Sequence, residues 1–190
     1  MTTAKRKNKP LAKRSPAPID PAKLLEEARN YLGPAAPGRP DAFRMRRAAS
    51  SAYYALFHSL SKGAAACLLP HGSQDEQLHL ARMFNHVEMK QTCEWIAGRT
   101  GEARINQHLR PVVKRLKGTP IAEVASAFCD LQEARHRADY DHLEPVSRPA
   151  ASASVDDAEK CMAILAKAQR ADCEAFYALL ALRARIPNTG

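Results

Sequence analysis

Apolar residues recur at helical spacing in one segment of this chain after another, and stretches rich in proline and glycine separate the segments. Asp20 followed by Pro21 is typical of a helix start, with an N-cap and a proline at the first helical position. Apolar and polar residues nowhere alternate for long enough to indicate a β-strand. The sequence therefore predicts an all-α protein, a bundle of five to six helices with short connections.

Capping residues, prolines and glycines set the expected bounds of the helices. Ser73 with Glu76, and Ser154 with Asp157, have the spacing of a capping box. Pro111 would bend a helix from within, and 145–153 contains two prolines and is expected to be a loop. The expected helices are 21–32, 41–63, 73–99 with room for an interruption, 101–117, 120–142 and 154–185.

The length of 190 residues fits one domain, for which we expect 20–186, preceded by a separate basic tail over 1–19. Six basic residues precede the first acidic residue, Asp20, in a stretch poor in large apolar side chains, which predicts disorder. These residues are Lys5, Arg6, Lys7, Lys9, Lys13 and Arg14. Such a segment can attract nucleic-acid phosphates, or it can simply keep the protein in solution.

Several classes of protein are disfavoured by what the sequence lacks. No apolar run approaches the roughly 18 residues that a membrane helix needs, and no apolar segment with a cleavage site follows the basic N-terminus. We therefore expect a soluble, cytoplasmic protein without a membrane partner. The five cysteines are scattered and form no Cys-x-x-Cys pair, so most should be buried thiols rather than ligands of a metal. No P-loop or dinucleotide fingerprint appears, and we expect no metal and no cofactor.

The segment LQEARHRADYDH, 131–142, carries the densest group of reactive side chains. On an ideal helix, Arg135 and His142 continue the apolar stripe that begins at Ile121, whereas Arg137 lies on the opposite face. A guanidinium on a buried stripe needs an anion, which is either a carboxylate of the protein or a phosphate of a ligand. Asp139, four residues further on, is the candidate carboxylate, and His142 can interact with the helix dipole.

Two motifs resemble those of the HEPN domain family. The segment RRAASSAYYALFHSL, 46–60, is similar to the Arg-rich, Tyr-Tyr-containing helix of many prokaryotic HEPN proteins. Arg135 and His142 are separated by six residues, which matches the family pattern of Arg, four to six residues, His. Arg137 and His142 match it too, but the polar residue His136 after Arg135 and the helical wheel both favour Arg135. The Tyr53-Tyr54 pair itself is expected to fill a core.

The resemblance implies a homodimer whose motif helices form a shared cleft for metal-independent RNA cleavage. It makes Arg135 the phosphate ligand and His142 the general base or acid, with a 2′,3′-cyclic phosphate as product. His136 and Asp139 would orient these groups, and Arg137 would hold the RNA backbone. A toxin or defence effector with an antitoxin or nucleotidyltransferase partner is one expectation, although Glu144 stands where such paired members often carry Tyr.

Two other hypotheses about the function of the domain remain open. The domain can be a catalytically inactive HEPN module that binds RNA or a nucleotide, or that scaffolds a partner. It can also be a purely structural helical adaptor that uses its apolar stripe for dimerisation.

Overall fold

The computed structural model describes residues 18–34, 41–141 and 143–182, apart from the side chain of Glu102. Within these ranges the chain forms eight α-helices, one 3-10 turn at Glu102–Arg104, and no strand. The helices are α1 Pro21–Leu32, α2 Asp41–Leu68, α3 Gln74–Ala81, α4 His86–Ile96, α5 Arg110–Lys117, α6 Ile121–Tyr140, α7 Arg148–Lys167 and α8 Arg170–Ala181. The all-α prediction is confirmed, but the expected count of five to six helices is too low.

The predicted helix over 73–99 is two helices, because Asn85 starts a new one. Arg82 is the C-cap of α3, and the side chain of Asn85 accepts a hydrogen bond of 2.9 Å from the amide of Glu88. An asparagine oxygen that satisfies an N-terminal amide is a strong helix start. The capping box of Ser73 and Glu76 is present as predicted.

The predicted helix over 101–117 is wrong for its first half. Only α5 is α-helical, and it begins at Arg110 with Pro111 in its first turn, where a missing amide costs nothing. Pro111 therefore starts a helix instead of bending one. Before it, the side chain of Asn106 accepts a hydrogen bond of 3.0 Å from the amide of His108, which favours a turn.

The last predicted helix begins too late and is also divided. Ser147, not Ser154, caps α7, and its hydroxyl accepts from the amide of Ala150. Ser154 lies inside the helix, buried, and donates to the carbonyl of Ala150 at 3.1 Å. Ala168 and Gln169 adopt extended backbone angles that separate α7 from α8.

Helix α2 is the central element of the bundle and packs against α1, α3, α6, α7 and α8. Its buried side chains, among them Met45, Leu56 and Leu60, meet Phe128 of α6 and Phe176 of α8 in one core. Helix α6 packs against α2, α4 and α7, and hydrogen bonds from Arg46 to Ala138 and from Ser50 to Asp139 place its C-terminal half beside the first half of α2. This pairing of α2 with α6 positions the candidate site.

Three further features bear on the sequence predictions. All five cysteines are free thiols, and Cys93, Cys129 and Cys161 are buried. In the described ranges, no helix combines the length and apolar character that a membrane crossing requires. The expected disordered tail falls almost wholly on residues 1–17, and the expected domain end on 183–186, both outside the described residues.

Candidate functional site

The guanidinium of Arg135 lies between α6 and α2. Its Nη2 donates a hydrogen bond of 2.7 Å to the hydroxyl of Tyr54, and its Nε lies 2.7 Å from Oδ2 of Asp139, an ion pair without hydrogen-bond angles. The rings of Tyr54 and Tyr140 flank the guanidinium, each with its centroid 5.4 Å away. Because the Arg135 side chain is only 19% exposed, these contacts hold a mostly buried cation in one orientation.

The charge of Arg135 is permanent. Burial alone would lower its pKa, but the neighbouring Tyr54 and Asp139 outweigh burial, and the pKa of Arg135 is raised. The sequence-based pairing of Arg135 with Asp139 is thus present. Asp139 also accepts a short hydrogen bond of 2.5 Å from the hydroxyl of Ser50 in α2, which fixes the carboxylate.

A second arginine ties the end of α6 to α2. The guanidinium of Arg46 donates to the carbonyl oxygen of Ala138 at 2.8 Å and to that of Glu144 at 2.9 Å. A cationic side chain at a helix C-terminus satisfies carbonyls that lack helical partners and interacts favourably with the dipole. Arg46 therefore holds the chain on both sides of 141–143 against α2.

These α2 residues belong to a run of polar side chains spaced four apart, which we term the polar stripe. The stripe consists of Arg46, Ser50, Tyr54, His58 and Lys62. It extends for about 24 Å along the helix, at 1.5 Å per residue. Its first three members contact the end of α6, and its last two line a cleft beside α3 and α4.

His86 at the start of α4 is fixed by Tyr53. The hydroxyl of the fully buried Tyr53 lies 2.6 Å from Nδ1 of His86. Burial raises the pKa of Tyr53, so the phenol stays protonated in its hydrogen bond with Nδ1. Burial, and then the charge of Arg135, lowers the pKa of His86, so the ring is neutral near pH 7.

His58 is a second neutral imidazole nearby. Its ring is stacked on that of Tyr54 with centroids 6.3 Å apart, and burial, His86 and Lys62 all lower its pKa. His58 and His86 both line the cleft beside α3 and α4, which has a volume of about 400 Å³. Tyr54 thus connects Arg135 to this cleft, because its hydroxyl binds Arg135 and its ring stacks on His58.

The other residues predicted for the site lie elsewhere or outside the description. His136 and Arg137 are exposed and line a separate shallow depression with Lys90. Arg137 therefore points away from the buried stripe, as the helical wheel predicts. The ring of His136 packs on that of Tyr140, with centroids 5.0 Å apart. His142 lies outside the described residues, so the structure leaves its distance from Arg135 untested.

Sequence reasoning missed the contribution of α2 to this site. The tyrosine pair packs as predicted, Tyr53 in the core and Tyr54 against it. The hydrogen bond from Arg135 to the Tyr54 hydroxyl and the contacts of Ser50 and Arg46 with the end of α6 were not predicted. The four-residue spacing of the polar stripe was the available signal, because residues four apart share one side of a helix. Among the described residues, no group of three or more His, Cys, Asp or Glu side chains is placed to hold a metal ion.

No protein-family model matches the chain, and comparison with curated proteins and with solved structures yields no similar protein.

Proposed function

We propose that this chain is a metal-independent HEPN-type endoribonuclease in which Arg135 and His142 act on a phosphodiester of cytoplasmic RNA. The observation that carries the proposal is the mostly buried, oriented guanidinium of Arg135, held by Tyr54 and Asp139 at the end of α6. A preorganised cation stabilises charge that develops in a transition state without reorganising first. The two HEPN-like motifs, 46–60 and 135–142, begin on the two helices that form this site, α2 and α6.

The chemistry follows from the two side chains. An imidazole of His142 takes the proton of a ribose 2′-hydroxyl, whose oxygen then bonds to phosphorus while the bond from phosphorus to the 5′-oxygen breaks. The leaving 5′-oxygen takes a proton from an imidazolium, which leaves a 2′,3′-cyclic phosphate and a 5′-hydroxyl. Arg135 binds the phosphate oxygens as their negative charge grows.

A homodimer would supply one His142 as base and the other as acid. Support for a second copy comes from large apolar side chains at the end of α6, where Tyr140 is 60% exposed and Leu143 is 94% exposed. Exposed apolar groups beside a charged site are common at interfaces. In such a dimer Asp139 positions Arg135, and the exposed His136 and Arg137 are free to contact RNA beyond the reacting phosphate.

One observation favours a second candidate, an RNA-binding or nucleotide-binding module without cleavage. Arg135 already has a hydrogen-bond acceptor in Tyr54 and a counter-charge in Asp139, as expected of an ion pair whose role is only structural. In that case Arg135 stabilises the packing of α6 on α2, and His142 contributes nothing to chemistry. A toxin role with an antitoxin or nucleotidyltransferase partner belongs to the first candidate alone.

The deciding experiment incubates the full chain with a fluorogenic single-stranded RNA in EDTA. We expect the parent to release 2′,3′-cyclic phosphate ends, detected by mass spectrometry, and to sediment as a dimer. His142→Ala and Arg135→Ala should each lower the rate about 100-fold or more, the usual contribution of a general base or a charge-stabilising donor. Arg135→Lys should also be slow, because an ammonium lacks the two-pronged guanidinium geometry.

Arg104→Ala is the control, since it removes an exposed arginine from the turn Glu102–Arg104, outside α2 and α6, and its rate should stay within a few-fold of the parent. Melting temperatures show which variants are folded. RNA binding by the parent without cleavage would reject the nuclease and support the second candidate. Cleavage that survives His142→Ala would remove His142 from the mechanism.

A further inference from the structure

The cleft beside α3 and α4 has a lining suited to a flat, partly polar ring. Six side chains form most of its wall: Phe57, His58, Lys62, Arg82, Phe84 and His86. The rings of Phe57 and His86 are in contact, with centroids 4.1 Å apart, and His58 meets Phe57 edge-on at 5.2 Å. At about 400 Å³ the cleft falls within the range of small-molecule sites.

The polar groups of the cleft favour a nucleobase over a purely apolar ligand. His86 forms its hydrogen bond with Tyr53 through Nδ1, which leaves Nε2 of the neutral ring as a polar group for a ligand. His58 is neutral as well and supplies a further donor and acceptor. Protein aromatic rings bind unpaired bases by stacking, while such polar groups read the base edges.

The rim of the cleft is positively charged, which suits the phosphate attached to a base. Lys62 and the exposed Arg82 both line the cleft, and Nζ of Lys62 lies 3.0 Å from the carbonyl oxygen of Ile19. Pro18 and Ile19 also line it, and they follow the segment that carries six basic residues.

The polar stripe joins the cleft to Arg135. The Tyr54 hydroxyl binds Arg135, and the Tyr54 ring stacks on His58 at the cleft wall. A nucleic acid strand that places one phosphate at Arg135 can therefore place a neighbouring base in the cleft. Bases inside a duplex are stacked and paired, so only an unpaired nucleotide can enter.

We propose that the cleft is a subsite for an unpaired base adjoining the phosphate at Arg135, which makes single-stranded RNA the substrate. The choice of RNA rests on the proposed function, whereas base binding in the cleft is measured without cleavage. The probe is a fluorescein-labelled 2′-O-methyl uridine 12-mer, which lacks the nucleophilic hydroxyl. Its partner probe has the same backbone with four central bases removed.

Fluorescence anisotropy at fixed salt gives the affinity for each probe. We expect the parent to bind the complete 12-mer about tenfold more tightly than the abasic one, the effect of one stacked base. Phe84→Leu should bring this ratio close to one while binding of the abasic probe stays within twofold. Lys62→Gln should weaken both probes alike, and Lys167→Gln, on the exposed end of α7, is its matched control.

A second measurement needs no variant. A 12-mer with a central 4-thiouridine, irradiated in the complex, should crosslink to the peptide that contains Phe57 and His58 or to the one that contains Phe84 and His86. Crosslinks confined to other helices, or a parent that binds both probes equally, would overturn the subsite. Failure of the proposed nuclease instead shows as absent cleavage in the EDTA assay, independently of these binding ratios.

Discussion

His58 and His86 are two neutral imidazoles that lie near the cationic side chains of Lys62 and Arg135. His86 contacts the phenol of Tyr53, and the charge of Arg135 disfavours its protonation. His86 and Lys62 in turn disfavour protonation of His58. Protonation of either ring would add a positive charge next to existing ones in a partly buried setting. The folded state therefore resists protonation more than the unfolded chain does.

This difference gives the stability a defined pH dependence. Because the pKa of each imidazole is lower in the folded state, the unfolded chain binds more protons as the pH falls below about 6.5. The free energy of unfolding should thus be highest above pH 6.5 and fall as the pH is lowered through the folded pKa values. Urea unfolding followed by circular dichroism from pH 7.5 to 5 measures the slope.

His58→Gln should flatten that slope, because one of the two titrating rings is gone while a polar amide remains at the cleft. His71→Gln, which removes an exposed imidazole from the loop before α3, controls for the loss of a histidine as such. An unchanged slope in His58→Gln would show that protonation of His58 is not what destabilises the fold in acid.

Contacts within one helix of the candidate site could be predicted from the sequence, whereas contacts between helices could not. The inward position of Arg135 and its pairing with Asp139 follow from helical periodicity alone, since both residues are on one helix. The hydrogen bond from Arg135 to Tyr54, the one from Ser50 to Asp139, and the placement of His86 against Tyr53 join residues 33 to 89 positions apart. Such contacts depend on the packing register of the helices, which periodicity does not contain.

At the scale of elements, α2 and α8 approach closely at one glycine. A Cβ added to Gly63 would lie 2.5 Å from the hydroxyl oxygen of Tyr177 and 2.7 Å from its Cζ. The Tyr177 side chain is partly buried there, and burial raises its pKa to about 12. Gly63 therefore serves packing, in a helix interior where alanine would otherwise be favoured by about 0.5–1 kcal/mol.

Gly63→Ala should lower the free energy of unfolding by about 1–3 kcal/mol, the usual cost of overpacking. In a Tyr177→Ala background the clash is gone, and the same substitution should become neutral or slightly stabilising. Denaturant unfolding of the four proteins in this cycle measures the reversal. Gly101→Ala, where a Cβ meets nothing within 4 Å, is the control, and a stabilised Gly63→Ala single variant would contradict the close contact.

Helix boundaries were predictable where a local signal had no competitor. The range 21–32 is confirmed, because Asp20 and Pro21 start α1 and Gly33 ends it. The start of α7 was misplaced because two serines, Ser147 and Ser154, both fit an N-cap, and the choice between them depends on which stretch the bundle buries. Ala151 is buried in the core as part of the helix, so the helix begins earlier, at the Ser147 cap.

Over the whole molecule, positive charge is concentrated at one end of the sequence. The formal net charge is +9, and six basic residues precede Asp20 without an intervening acid. The described chain begins at Pro18 on the wall of the cleft, and the residues that carry this charge precede Pro18 in the sequence. A concentrated charge of this kind contributes to RNA affinity chiefly by releasing counterions from phosphates.

Replacing all six basic residues with serine should therefore reduce the salt dependence of RNA binding rather than abolish binding. For single strands the logarithm of the association constant falls by about 0.7 per neutralised phosphate for each tenfold rise in salt, so the slope should become less steep by up to about 4. Anisotropy titrations of the 2′-O-methyl 12-mer between 50 and about 300 mM salt measure the slope. A variant with Lys and Arg exchanged at the same positions keeps the charge and should keep the parent slope. If the serine variant also keeps the parent slope, the basic segment makes no phosphate contacts and serves only to hold the protein in solution. A smaller slope, with the preference for the complete 12-mer over the abasic one intact, shows that the basic segment attracts the RNA backbone.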